Sequence, residues 1–204
     1  MEIFKRLHCV DEQEQRDMFL VEELVAFERY CRDQSIWVEM KKCFREDATV
    51  NISWFKGSGW GFVEASQVMN HFAPHKINNI ITRCRGSKAV AECITSIQIR
   101  QEIDGQMYDL TSYVRLHYRL VKDKSIWSVF SMEAIYEKDT LQPAYFTETP
   151  KPLCLDLSKY RVSYAGLSAI FDAMGQPVHN DLPGVDKPEL VEALYAKSEA
   201  WFEQ

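Results

Sequence analysis

The chain has 204 residues, 46% of them apolar and 26% charged, with 24 Lys and Arg against 30 Asp and Glu for a net charge of -6. That length suits one domain, or one domain with an extension, and buries a core without disulfides. The acidic balance disfavours a nucleic-acid binder or a protein held on anionic membrane surfaces, both of which need a basic face. No apolar run approaches the ~20 residues that span a bilayer. The first residues, MEIFKRLHCVDEQEQRD, lack the apolar stretch of a signal peptide, so the expected location is cytoplasmic.

Residues 11 to 31 read as a helix, with Leu20, Leu24, Phe27 and Cys31 at helical spacing and acidic residues in the early turns. A short connection, Arg32 to Ser35, leads to a second helix from Ile36 to Phe44. Glu46 and Asp47 turn the chain into a strand from Ala48 to Trp54, rich in β-branched and aromatic residues. The run KGSGWG reads as a loop because glycines punctuate it, either a plain connection or a mouth over a pocket. A third helix follows, with Phe62, Ala65, Ser66, Met69 and Phe72 on one face, and Pro74 ends it.

From His75 the pattern becomes sheet. Ile77 to Arg85, Val90 to Ile103, Met107 to Lys122 and Ile126 to Tyr136 are strand-like, and Gly86-Ser87, Asp104-Gly105 and Asp123-Lys124 are hairpin turns. Strands this long in a small sheet bend, and a bent sheet wraps helices into a pocket. Helices followed by an antiparallel meander indicate an α+β fold. The passage LQPAYFTETPKPL then reads as a linker or wrapping arm. Two helices are expected after it, Leu157 to Met174 with Gly175 as its stop, and Lys187 to Phe202.

Strong chemical signatures are absent. The six cysteines, at 9, 31, 43, 84, 93 and 154, form no metal-binding pattern and read as small core residues. There is no phosphate-cradling glycine loop, nucleophile elbow or zinc-protease helix. Neither a metal nor an organic cofactor is expected.

Several phrases, FERYCRDQSIWVEMKKCFREDATVNISWFKG, HKINNIITRCRGSKAVAE and SIWSVFSMEAIYEKD, resemble the SnoaL-like branch of the nuclear transport factor 2-like superfamily over about residues 15 to 145. The resemblance implies a cone: a strongly curved antiparallel sheet closed by three N-terminal helices around an apolar cavity. Residues 1–145 would form this cone and 146–204 a wrapping arm and two helices. Members include dehydratases, ketosteroid isomerase, polyketide cyclases and a dehydrochlorinase, together with proteins that only bind or assemble. Carried over residue by residue, the family pattern places Tyr30 and Asp33 at the end of the first helix facing the pocket, and His75 at the start of the following sheet as partner of Asp33. Ile52 stands where ketosteroid isomerase has its general base, so steroid-isomerase chemistry in that form is not expected. Trp54 lies near the place of a second dehydratase tyrosine.

Removing water from a β-hydroxy carbonyl compound needs a base for the α-proton, a donor for the enolate and an acid for the departing hydroxyl. His75 oriented by Asp33, with Tyr30 on the carbonyl oxygen, would supply all three. The plain alternatives are a loop or capping role for Asp33, a surface position for His75 and a core position for Tyr30. Trp54, Trp60, Phe62 and Phe130 are expected as pocket walls, and Asn78 as a ligand contact or a strand-edge residue. Tyr113, Arg115 and His117 alternate onto one strand face. That face is read as outward, unless Arg115 binds an anionic or carbonyl group inside. The expected activity is a cofactor-independent lyase or isomerase acting on a hydrophobic hydroxylated carbonyl compound. A non-catalytic small-molecule binder and an assembly module acting through the C-terminal helices remain as alternatives. A homodimer or homotrimer through the outer sheet face is expected.

Overall fold

The computed structural model describes residues 2–7, 10–69, 71–145 and 155–204. Helix α1 (Glu12–Asp33) starts at Asp11, whose carboxylate accepts a hydrogen bond from the Glu14 amide, and ends where Ser35 adopts a positive φ of 59°. A short α2 (Trp37–Lys42) follows, and strand β1 begins at Phe44 rather than Ala48, running to Ile52. The glycine-punctuated run is not a free loop. Phe55–Ser58 forms strand β2, paired antiparallel with β1, and Gly59 opens helix α3 (Gly59–Met69). A Cβ on Gly59 would lie 2.7 Å from the Phe44 ring, so the glycine allows helix and strand to meet. Helix α3 stops short of Phe72, which is exposed.

Four long strands complete the sheet: β3 (His75–Arg85), β4 (Lys88–Ile103), β5 (Gln106–Asp123) and β6 (Ile126–Pro143). The turns fall close to where the sequence places them. Asp104 and Gly105 both take positive φ, at 50° and 78°, as a tight primed hairpin requires, and Gly86 and Lys124 do the same at the neighbouring turns. The sheet order is β2-β1-β6-β5-β4-β3. It is mixed rather than wholly antiparallel, because β1 runs parallel to β6. Register shifts interrupt β1, β3, β5 and β6, and bulges of this kind bend a sheet. Helices α1, α2 and α3 share one continuous core with the concave face, built on residues such as Val21, Val25, Met40, Phe62, Val114, Leu116 and Met132. The architecture is α+β, as expected.

The first C-terminal helix is shorter than the sequence suggests. Residues 155–161 are not helical, a 3-10 turn spans Val162–Tyr164, and α4 covers only Ala165–Ala173. Gly175, at φ 73°, ends it. Asp139 of β6 accepts the Leu167 amide at 2.8 Å, and Leu167, Ile170 and Phe171 enter the main core. Helix α5 (Pro188–Glu203) lies on the opposite sheet face, where Leu194 and Tyr195 pack on Ile135, and Phe202 packs on Val90 and Ile3. Cys31, Cys43, Cys84 and Cys93 are free and buried, and burial pushes their thiols up, out of the reactive range. Cys9, Cys154 and most of the expected linker lie outside the described residues. Among those described, no helix is long and apolar enough to cross a membrane.

Candidate active site

The last turn of α1 and the first residue of β3 meet at the rim of the sheet. Asp33 accepts two hydrogen bonds from one residue: its Oδ2 takes the His75 amide at 2.6 Å, and its Oδ1 lies 2.8 Å from His75 Nδ1. The carboxylate thereby fixes the ring and places the proton on Nδ1, leaving Nε2 as an acceptor. No protein group among the described residues bonds to Nε2. His75 stands between two spaces. One is an inner cavity of about 30 Å³, walled by Ile52, Trp54, Phe62, Val114, Leu116, Met132, Leu167 and Phe171, with Arg29, Arg32 and Ser53 as polar lining. The other is an outer groove of about 550 Å³, bordered by Arg29, Tyr30, Asp33, Gln34, Phe72 and Gln98. The inner volume holds about one water molecule.

Helix α1 supplies the charges. The Arg29 guanidinium grips Glu28 through Nε and Nη2, and the Tyr118 hydroxyl donates to Glu28 at 3.4 Å. The Arg32 side chain reaches the Ala73 carbonyl at 3.3 Å and stops 3.7 Å from Asp33 Oδ1. Burial pushes His75 down to about 4, reinforced by the positive charges of Arg29 and Arg32 and opposed by Asp33. The ring is therefore neutral at pH 7. For Asp33, burial acts against the charge, but the hydrogen bonds and charge of His75 outweigh it and hold the carboxyl below its ordinary value. A neutral imidazole with one nitrogen tied to a carboxylate and the other free has the form of a general base. Among the described residues no cluster of three or more His, Cys, Asp or Glu side chains could hold a metal ion.

No protein-family model matches the chain, and no curated protein matches it. Solved structures do. A candidate scytalone dehydratase from Novosphingobium aromaticivorans superposes with a TM-score of 0.54 at 17% identity, covering 70% of this chain and 96% of its own. A hexachlorocyclohexane dehydrochlorinase, LinA type 2, gives 0.54 at 10% identity over 67% of this chain and 95% of its own. A candidate dehydratase of the NTF2-like family from Streptomyces avermitilis gives 0.51 at 12% identity over 59% and 96%. The chain has the nuclear transport factor 2-like fold. At these identities the likeness concerns the cone itself, and the chemistry has to be argued from the side chains.

Within the cone, the structure joins His75 to Asp33 and puts Trp54 and Phe62 in the cavity wall, as the sequence suggests. Other expected residues lie elsewhere. Tyr30 is 57% exposed in the outer groove, because it sits on the solvent side of α1. Asn78 is exposed at the β3 bulge. Trp60 turns outward from α3 to bond the Phe44 carbonyl and sits under Lys41. Arg115 and Phe130 occupy the outer sheet face, Arg115 against Glu92, Glu137 and Tyr195, and Phe130 stacked on Trp201. The outward reading of the Arg115–His117 face holds. Sequence reasoning missed Glu28, Arg29, Arg32 and Ser53. The signal was present in α1: its buried stripe is Val21, Val25, Glu28, Arg29 and Arg32, while Leu20 and Phe27 remain partly in solvent. A stripe that continues from valines into charges marks a helix that carries a polar site into a core.

Proposed function

We propose that this chain is a cofactor-independent lyase of the dehydratase type, in which His75 and Asp33 move a proton on a hydrophobic, hydroxylated carbonyl compound. The observation that carries this reading is the tied, neutral His75 whose Nε2 has no partner among the described residues and which borders an apolar cavity. Nε2 takes the proton α to the carbonyl, Asp33 stabilises the imidazolium through Nδ1, and the same nitrogen returns the proton to the departing hydroxyl. The donor to the carbonyl oxygen is not the exposed Tyr30. The guanidinium groups of Arg29 and Arg32 line the cavity and take that place. Solved structures with this fold include proteins named as dehydratases and a dehydrochlorinase, both eliminations by name, which agrees with the reaction class.

In this reading residues 1–145 form the reacting unit and residues 146–204 supply its plug. Phe171 of α4 lies 5.9 Å from the Trp54 ring and fills the cone, so substrate enters when that side chain or α4 gives way. A homodimer or homotrimer would have to use sheet surface that α5 leaves bare. The reading is tested with a panel of β-hydroxy ketones and acids, following the absorbance of the conjugated product. Wild type is expected to turn over at least one of them, and His75→Gln to abolish turnover while the protein stays folded. Unchanged turnover in the variant would reject the mechanism.

A further inference from the structure

The polar lining of the inner cavity is unevenly satisfied, and the imbalance has a chemical direction. Arg29 is matched by Glu28 through a two-pronged contact. The oxygens of Asp33 are taken by the amide and ring of His75. Arg32 is different. Its side chain is only 6% exposed, its one hydrogen bond among the described residues is the 3.3 Å contact to Ala73, and Asp33 at 3.7 Å is beyond hydrogen-bond reach. A guanidinium has five N–H donors, and the described residues engage one side of this one, beside a space with apolar walls. The Ser53 hydroxyl, also buried on the cavity, has no partner among the described residues. A buried cation with idle donors fits an incoming anionic oxygen pair, which a planar guanidinium binds in two-pronged fashion.

We infer that the inner cavity, once Phe171 gives way, is a carboxylate site, with Arg32 as the anchoring cation and Ser53 as an auxiliary hydrogen-bonding group, so that the natural ligand is a carboxylic acid with a compact apolar body. The inference deepens the lyase reading by naming the charge of its substrate, and it rests on that reading only for the word substrate. Burial and the neighbouring Arg29 charge hold the Arg32 guanidinium down to about 10, still cationic at pH 7, as an anion site requires.

The test uses the full-length protein and two matched pairs of probes, acetate with acetamide and benzoate with benzamide, at constant ionic strength. Binding is measured by calorimetry and by the shift of the unfolding midpoint. Each carboxylate is expected to bind about 30-fold or more tightly than its amide, the loss typical when one side of a buried charge pair is removed. Arg32→Met is expected to erase that preference, and Arg32→Lys to retain part of it. Without ligand, Arg32→Met is expected to unfold at or above the wild-type temperature, because it removes a poorly compensated buried charge. Equal binding of acid and amide by wild type, or a preference that survives in Arg32→Met, would overturn the proposal. So would a midpoint lowered by several degrees in that variant, which would mark Arg32 as a fold-holding residue. His75→Gln separates the two readings. Carboxylate binding that persists in it, with no turnover of any acid by wild type, leaves the anion site standing and removes the lyase. Turnover that depends on His75 but not on Arg32 does the reverse.

Discussion

Two histidine–carboxylate pairs sit on opposite faces of the same sheet, and their contrast separates chemistry from architecture. On the concave side His75 Nδ1 meets Asp33 at 2.8 Å and Nε2 is left without a partner among the described residues, beside a cavity. On the convex side His117 Nδ1 meets Glu92 at 3.1 Å, and Nε2 is closed by the Ser198 hydroxyl of α5 at 2.9 Å. Glu92 also accepts the Tyr195 hydroxyl at 2.9 Å and Arg115 at 3.2 Å. The second pair thus uses its hydrogen-bonding capacity to fasten α5 to β4 and β5. The first has capacity to spare. The same two residue types make a base where the outer nitrogen faces space, and a rivet where it faces another element.

The sharpest way to break this comparison is to make the same substitution at both sites. His75→Gln is expected to lower turnover by about 10²–10⁴-fold, the range that general-base catalysis contributes, with little change in the unfolding midpoint at neutral pH. His117→Gln is expected to leave turnover intact and cost about 1–3 kcal/mol of stability, the penalty for unmade buried hydrogen bonds, read from chemical denaturation. Equal loss of turnover in both would mean that the convex pair also serves the reaction. Next in size is Phe171→Ala. Removing the ring that fills the cone is expected to cost about 3 kcal/mol and to open room beside Trp54, read as a lower midpoint and tighter binding of benzoate than wild type shows.

A pH titration sharpens the contrast further. Folded His75 binds its proton only near pH 4, whereas an unfolded histidine does so near 6.5. The unfolded state therefore holds more protons between those values, and stability rises with pH across that window. The contribution of His75 is complete above pH 6.5 and lost as the pH falls toward 4, about 3 kcal/mol in all. Denaturant titrations of wild type should show this acid limb, and His75→Gln should flatten it. A limb of unchanged height in the variant would place the titrating group elsewhere.

The sheet was legible because its turns are written in residues that tolerate positive φ, such as Asp104-Gly105, and its strands in alternating apolar residues. The parallel pairing of β1 with β6 was not, since register between distant strands depends on the bend of the whole sheet. Asp33 and His75 were brought together by resemblance, and the structure gives the distance. Tyr30, Trp60 and Phe130 went astray for one reason: whether a helix or strand face turns inward depends on rotation about its axis, which residue type alone leaves open. In α1 that rotation puts Arg29 and Arg32 inside and Phe27 at the edge, against the hydrophobic reading of the stripe. Local preference yields at such a place because the buried charges are paired or poised for a ligand.

The smallest expected effect probes the convex pair at its last link. Glu92, His117 and Ser198 follow one another in hydrogen-bond order, the sequence of roles found in serine hydrolases. Order alone does not make a nucleophile. Ser198 is fully buried between α5 and the sheet, so no carbonyl carbon can approach Oγ, and the hydroxyl is needed as a donor to His117. Ser198→Ala is expected to cost about 1 kcal/mol, one hydrogen bond, and to leave turnover unchanged. A fluorophosphonate reagent is expected to leave the wild-type protein unlabelled under native conditions. Labelling at Ser198 would show that α5 lifts from the sheet often enough to expose the hydroxyl, and the convex pair would then have to be counted as a second reactive centre rather than a fastening.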